Sequence, residues 1–168
     1  RKAQAMSSNE GAQAYVRAEI AMKSIADRND KGSEQANIMA DNAASRVLFG
    51  AQIKQDMLTI SRAEKNIILA KSTKDMDSYA DANAATRKEM LVRRAALREL
   101  ADADGKVKLD QFANVWDKYL EVNDKIRQYA RNKENDKAFT LASNEGRAFT
   151  DQADRLMTAI VIKNDDIN

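Results

Sequence analysis

Two cations and an amide, Arg62, Lys65 and Asn66, stand at positions i, i+3 and i+4 of the sequence. On a helix this spacing places the three side chains on one face. A guanidinium, an ammonium and an amide together offer the donors that bind a carboxylate. The spacing therefore predicts one wall of a site for a small, carboxylate-bearing ligand. The competing interpretation is a solvated outer face, on which such cations pair with Asp or Glu.

A second set of polar residues is expected at the same end of the molecule. Arginines come late in the predicted third helix, and hydroxyl, amide and guanidinium side chains open the fourth. In an antiparallel up-down bundle, the ends of helices one and three share one pole with the starts of helices two and four. Hydroxyls and a helix N-terminus there would complete an anion site. The predicted ligand-binding residues are Arg62, Lys65, Asn66, Arg131, Thr140 and Asn144, with Arg127, Ser143 and Arg147 close by.

The 168 residues include neither histidine nor cysteine. Metal centres and haem therefore lack their commonest ligands, a thiol nucleophile is absent, and proton transfer lacks its commonest base. No phosphate-binding glycine loop and no nucleophile–base pair occurs in the sequence. We therefore expect no enzyme activity, no catalytic residue, no metal site and no cofactor.

Charge and hydropathy limit the possible partners. The chain has 28 basic and 26 acidic residues, interspersed, for a net charge of +2. No region of one sign is available to hold a polyanion, so nucleic acid is not an expected partner. The longest apolar runs, Ile67–Ala70 and Ala159–Ile162, are far shorter than the ~20 residues that span a bilayer. Such a pattern fits a cytosolic protein and also a segment that lies between two membrane helices.

The elements that position these residues are predicted to be long helices. The chain has no proline, five glycines and 5% aromatic residues, which favours helices over sheets. Apolar side chains recur at spacings of three and four, the period of an amphipathic helix. We predict an all-α fold, an antiparallel up-down four-helix bundle with helices near residues 35–71, 75–103, 107–133 and 136–164.

Each predicted helix has an apolar stripe. The clearest belongs to the third helix, where we assign Trp116 and Tyr119 to packing and Asn123 to setting the register, with a role in lining a pocket as the alternative. The stripes are Ile53, Met57, Ile60 and Ile67; Met76, Tyr79, Met90, Leu97 and Leu100; Leu109, Phe112, Trp116, Tyr119, Asn123, Ile126 and Ala130; and Ala142, Gly146, Phe149, Ala153, Leu156 and Ile160.

Local signals predict where the helices begin and end. Ser72 and Asp75 form a capping-box pattern, so a helix should start just after Ser72. Gly105 is expected to adopt a left-handed conformation and stop the second helix, and the polar residues 132–136 should turn the chain. Residues 1–34 form an additional N-terminal helix that the polar group 29–33 should end. This gives two domains, 1–34 and 35–168, with the first either continuous with the bundle or packed on it.

The order of these features resembles the four-helix-bundle sensory domain of methyl-accepting chemotaxis proteins and related bacterial receptors. The resemblance covers about residues 35–168. It rests on the end of the first helix, the aromatic residues of the third helix, the segment before the polar turn and the start of the last helix. These are Ile60–Ala70; Phe112, Trp116 and Tyr119; Tyr129–Arg131; and Lys137–Leu141.

The resemblance implies a periplasmic domain, set between two membrane helices of a receptor that signals in chemotaxis. It also implies a homodimer formed through the first helix and a ligand site near the membrane-distal pole, with contacts near Arg62 and Thr140. The partner would be a small organic acid or amino acid, or a periplasmic binding protein. Ligand binding would displace the fourth helix relative to the first. Residues 1–34 depart from the family pattern, in which a membrane helix precedes residue 35.

Two other functions fit the same sequence. The domain could serve a histidine kinase or a cyclase instead of a chemotaxis receptor. A different class is a cytosolic or phage protein, in which the helical bundle has a structural role without sensing. Apolar runs of ~20 residues on both sides of this segment in the full gene would eliminate the structural alternative.

Overall fold

The computed structural model describes the backbone of residues 2–162 and the side chains of residues 19–161. Every regular element within this range is helical, which confirms the predicted all-α class. The elements are α1 (Lys2–Leu69), α2 (Thr73–Leu100), α3 (Ala103–Arg131), α4 (Asn135–Leu141), a π-helical turn (Ala142–Gly146) and α5 (Arg147–Ile162). We refer to α4, the π turn and α5 together as the fourth helical segment.

Contacts divide the chain into two units, residues 1–42 and 43–168. In the first unit, every described side chain, from 19 to 42, is exposed, including the large apolar residues Ile20, Met22, Ile25, Ile38 and Met39. A single helix has no second element on which to bury an apolar stripe. The predicted domain division at residues 34 and 35 stays a prediction.

The helix break predicted at residues 29–33 is wrong, because α1 continues through them. Gly32 keeps a negative φ, since no described glycine has a positive one. A glycine inside a helix costs only ~1 kcal/mol relative to alanine, and no proline removes a backbone donor here. Polar composition alone therefore does not stop this helix.

The second unit, residues 43–168, contains the core. The predicted stripe of α3 is confirmed, because all seven of its members are buried. Trp116 lies between Phe112 and Tyr119, with ring centroids 6.1 and 4.6 Å away. Tyr79, which we placed on the α2 stripe, is instead 37% exposed. The phenol of Tyr79 reaches water, because an amphipathic side chain can keep its polar hydroxyl in solvent while its ring packs on the protein.

The capping prediction for α2 is confirmed. Ser72 precedes the helix, its hydroxyl accepts a hydrogen bond from the Asp75 amide at 3.1 Å, and it donates to the Asp75 carboxylate at 2.7 Å. The prediction for Gly105 is wrong. That residue lies in the first turn of α3, where its amide donates to the Asp102 carboxylate at 2.7 Å. Asp102 is the N-cap of α3, so the glycine begins a helix and does not stop one.

The turn predicted at residues 132–136 is confirmed between α3 and α4. Among the described non-glycine residues, Lys133 alone has a positive φ, at 60°. This conformation lets the chain reverse within the three residues between α3 and α4. The last predicted helix, 136–164, begins at Asn135 and contains the π turn, which no sequence signal predicted. Its predicted end lies outside the described residues.

Candidate functional site

A groove of about 790 Å³ lies within the second unit, between α1 and the fourth helical segment. Its α1 wall comes from residues between 54 and 69, its opposite wall from residues between 139 and 155, and Tyr119 of α3 also lines it. A volume of this size suits a small organic molecule. Part of the groove is apolar, with Met57, Ile68 and Phe139 among its lining residues.

α1 approaches α5 closely at Gly50, one turn before the groove-lining residue Lys54. A Cβ atom added to Gly50 would clash with Cγ2 of Val161, so a larger residue there would force the Val161 side chain to shift. One turn further along α1, Lys54 donates to the Thr158 hydroxyl at 2.8 Å and forms a salt bridge of 3.0 Å with Asp154. The two helices are therefore tied together beside the groove.

The π turn contributes to the opposite wall. Ala142, Ser143 and Gly146 all lie in it and all line the groove, and Arg147 follows at the start of α5. A π turn inserts one extra residue into a helix and exchanges regular hydrogen bonds for poorer ones. Such insertions occur frequently at functional sites. The irregular part of the fourth helical segment thus coincides with the groove wall.

A buried carboxylate lies at the floor of the groove. The Glu64 side chain lines the groove, although the residue is only 4% exposed. Its Oε2 atom accepts hydrogen bonds from the Tyr119 hydroxyl, at 3.2 Å, and from the Asn123 amide. The Ser61 hydroxyl lies 3.3 Å from the Tyr119 hydroxyl and also lines the groove. The donors that hold Glu64 are therefore neutral groups.

The guanidinium of Arg87 contacts the side chain of Asn123, which in turn donates to Glu64. Arg87 donates to the Asn123 carbonyl oxygen and forms a salt bridge of 3.0 Å with Asp124. Asn123 therefore accepts from a cation with one end of its amide and donates to Glu64 with the other. Such a chain of polarised hydrogen bonds orients the carboxylate without neutralising it. The structure gives Asn123 this bridging position, beyond the register role predicted for it.

Burial raises the pKa values of Glu64 and Tyr119 at the floor of the groove. Desolvation raises the pKa of Glu64, and the hydrogen bonds from Asn123 and Tyr119 and the charges of Lys65 and Arg87 partly oppose this rise. Desolvation and the neighbouring Glu64 charge also raise the pKa of Tyr119. The phenol therefore stays protonated at neutral pH and remains available as a donor.

The structure brings some of the sequence-predicted residues to the groove. Lys65 lines it, and so do Ser143 and Arg147, which the sequence placed nearby. Arg62, Asn66 and Asn144 are exposed and do not line it. Thr140 donates to the backbone carbonyl of Asp136 at 2.8 Å, and Arg131 forms a salt bridge of 2.6 Å with Asp77. The proposed carboxylate clamp of six residues stays a prediction.

The sequence does contain a signal for Glu64, which the predicted α1 stripe leaves out. Met57, Ile60, Glu64 and Ile67 follow spacings of three, four and three, so the acid occupies a position of the α1 apolar stripe. Charged residues are rarely buried unless they have partners. An acid on a buried stripe is therefore itself a candidate for a functional group.

Two further findings concern the described part of the chain. None of its helices has a stretch that is both long and apolar enough to cross a bilayer. It also contains no cluster of three or more acidic side chains arranged to hold a metal ion. In comparisons with known proteins, no family model, no curated protein and no solved structure matches this chain.

Proposed function

We propose that this chain is the ligand-sensing domain of a bacterial methyl-accepting chemotaxis receptor, and that the small-molecule ligand binds in the groove between α1 and the fourth helical segment. The observation that carries the proposal is the polar floor of this groove. A bundle with a purely structural role gains nothing from a buried Glu64, whose desolvation costs free energy. A binding site can use that charge.

We propose an antiparallel up-down arrangement for the four helices. Three kinds of contact between α1 and α2 support it: Arg46 with Leu100, Asp56 with Arg93, and Ile60 with Asn83. Between α2 and α3, Asp77 pairs with Arg131, Arg87 with Asp124 and Arg98 with Asp110. In both sets the number rises on one helix as it falls on the other.

The proposed mechanism uses the position of the groove. A ligand that contacts both α1 and the fourth helical segment favours whichever relative position of the two gives it better contacts. The π turn offers a place where the fourth segment can change register at a small cost, because its hydrogen bonds are already irregular. Displacement of this segment relative to α1 is the signal that the domain would pass on.

The cellular setting follows from the same proposal. The domain would lie in the periplasm between two membrane helices, act as a homodimer and have no enzyme activity of its own. Its ligand would be an organic acid or an amino acid, delivered free or by a periplasmic binding protein. A histidine kinase or cyclase as the output module is the alternative, and the coding sequence on both sides of this segment decides between these outputs.

A thermal-shift screen of the 168-residue chain tests the proposal. Organic acids and amino acids are added singly over a wide range of concentrations, and a ligand should raise Tm in a concentration-dependent way by mass action. The control is a Tyr119→Phe variant, in which the groove floor loses its hydroxyl donor. Absence of any shift across both compound classes would count against direct sensing by this domain.

A further inference from the structure

Two buried polar atoms of α2, Oδ1 of Asn83 and Nε of Arg87, have no hydrogen-bond partner among the described residues. Asn83 is fully buried, and its Nδ2 atom donates to the backbone carbonyl of Ile60 in α1 at 3.4 Å. That bond fixes the orientation of the amide, because the reversed amide would bring two carbonyl oxygens together. An acceptor is therefore left over on a residue that bulk water does not reach, and an unsatisfied buried acceptor costs free energy.

The second atom is a buried donor. Nη2 of Arg87 donates to the Asn123 carbonyl oxygen and to Asp124, so the guanidinium is held against α3. A guanidinium keeps all of its protons at neutral pH, and Nε therefore always has a hydrogen to donate. This donor needs an acceptor, just as Oδ1 of Asn83 needs a donor.

The two atoms belong to neighbouring positions on one face of α2. Residues four apart on a helix have Cβ atoms about 5 to 6 Å from each other. Asn83 is held by α1 and Arg87 by α3, so each side chain is already committed to a different neighbouring helix. A small group that forms two hydrogen bonds of about 2.8 Å can join polar atoms up to about twice that distance apart.

We propose that one buried water molecule binds between Asn83 and Arg87, where it accepts a hydrogen bond from Nε and donates one to Oδ1. The group that fits must be an acceptor and a donor at once. An anion accepts from Nε but has no hydrogen for Oδ1, whereas a cation is repelled by the guanidinium. Water satisfies both atoms, and buried waters typically bind between polar groups that the protein itself leaves unsatisfied.

The water completes a ring of hydrogen bonds through three helices. From Glu64 in α1 the ring passes to Asn123 in α3 and then to Arg87 in α2. The water joins Arg87 to Asn83, which returns to α1 at Ile60, one turn before Glu64. A buried network whose members are all satisfied makes its surroundings more rigid. The inference does not depend on the proposed sensory function, since it needs only the interface of these three helices.

Water–protein NOESY and ROESY spectra of the isotope-labelled 168-residue chain test the inference. We expect cross-peaks from water to Hε of Arg87 and to the side-chain amide protons of Asn83, with opposite signs in the two spectra, as contact with a long-lived water requires. Arg62, which is exposed on α1, is the control and should show no such pair of peaks. Peaks of equal sign at Hε of Arg87 indicate proton exchange with bulk solvent and overturn the inference, and so does the absence of peaks.

A nearby hydroxyl could produce the same signals, because its proton exchanges with water. The Thr86 hydroxyl lies in the same turn of α2, where it donates to the Ala82 carbonyl at 3.0 Å. Thr86→Val removes it while keeping the shape of the side chain, and the peaks at Arg87 and Asn83 should persist. Their loss in this variant would assign them to the hydroxyl and overturn the inference.

Asn83→Leu removes the acceptor and replaces it with an apolar side chain. The peak at Hε of Arg87 should disappear, and magnetic relaxation dispersion of the water oxygen should show about one fewer long-lived water per protein molecule. The matched control is Asn114→Leu on the exposed face of α3, which should change neither measurement. A peak or a dispersion amplitude that is unchanged in Asn83→Leu overturns the inference. If circular dichroism shows that Asn83→Leu does not fold, the wild-type and Thr86→Val spectra decide the question.

Discussion

Two buried carboxylates of α1, Asp56 and Glu64, lie about two turns apart and differ in the groups that donate hydrogen bonds to them. Both Asp56 oxygens accept hydrogen bonds from Nη1 of Arg93, at 2.6 and 2.7 Å, and Arg93 also pairs with Glu89. Glu64 has only neutral donors and lines the groove. The two residues are nearly equally buried, at 6% and 4% exposed.

The difference lies in where the neutralising charge comes from. Desolvation raises the pKa of both acids, and for Asp56 the hydrogen bond and charge of Arg93 oppose the rise. The protein therefore supplies a cation for Asp56 from α2. For Glu64 it supplies neutral hydrogen-bond donors, and the charges of Lys65 and Arg87 act on it without forming a salt bridge. An acid that is buried, held in place and left without a salt bridge is better suited to binding than to stability.

Removing Arg93, the cation that pairs with buried Asp56, should have the largest effect on stability. Arg93→Ala leaves the Asp56 charge buried without a partner. We expect a loss of about 2 to 3 kcal/mol in the free energy of unfolding, somewhat below the loss for fully buried pairs because 27% of the Arg93 side chain is exposed. Urea denaturation measures the loss. The control is Arg131→Ala, whose partner Asp77 is exposed and which should cost under ~1 kcal/mol.

Removing a neutral donor should cost less. Tyr119→Phe deletes the hydroxyl that donates to Glu64 and contacts Ser61, and we expect a loss of about 1 to 2 kcal/mol in the free energy of unfolding. Tyr129→Phe is the matched control, because that ring contacts Lys137 through its face and should tolerate loss of the hydroxyl within ~0.5 kcal/mol. Equal losses in both variants would mean that the hydroxyl of Tyr119 has no special role.

Neutralising Glu64 should stabilise the protein in a pH-dependent way. Because burial raises the pKa of the folded state above the ordinary value of 4.5, the folded protein binds the proton more tightly than the unfolded chain does. The wild type therefore loses stability as pH rises from that ordinary value through the folded pKa of Glu64, and Glu64→Gln lacks this contribution. Thermal melts should give the variant a higher Tm at about pH 7.5, and the difference should shrink toward zero below the ordinary pKa of 4.5. A constant difference across this range would contradict the argument.

The smallest effect is expected at the arginine that first indicated a site. Arg62 is exposed and lies outside the groove lining, so Arg62→Ala should change the free energy of unfolding by less than ~0.5 kcal/mol. Its effect on ligand affinity separates the two site hypotheses. A clamp at the pole of the bundle predicts weaker binding in this variant, whereas a groove site at Glu64 and Lys65 predicts an unchanged Kd by calorimetry.

The helices and their buried faces could be predicted from the sequence because both depend on local spacing. The α3 stripe from Leu109 to Ala130 follows from a period of about 3.6 residues, and the start of α2 follows from the hydroxyl of Ser72. Breaks were harder to predict. Gly105 and the residues around Gly32 have turn-forming composition, but each adopts a helical conformation where neighbouring residues keep the helix hydrogen-bonded.

The sequence by itself thus determined an all-helical chain with apolar faces and with cations near the C-terminal end of α1. Only the tertiary structure decided which polar groups meet. Glu64 receives its donors from residues 55 and 59 positions away, and its groove is lined by residues of α1 and of the π turn at Ala142–Gly146. Periodicity specifies which face of a helix is buried. It does not specify the depth and rotation at which that face meets its neighbours, and these depend on packing between residues distant in sequence.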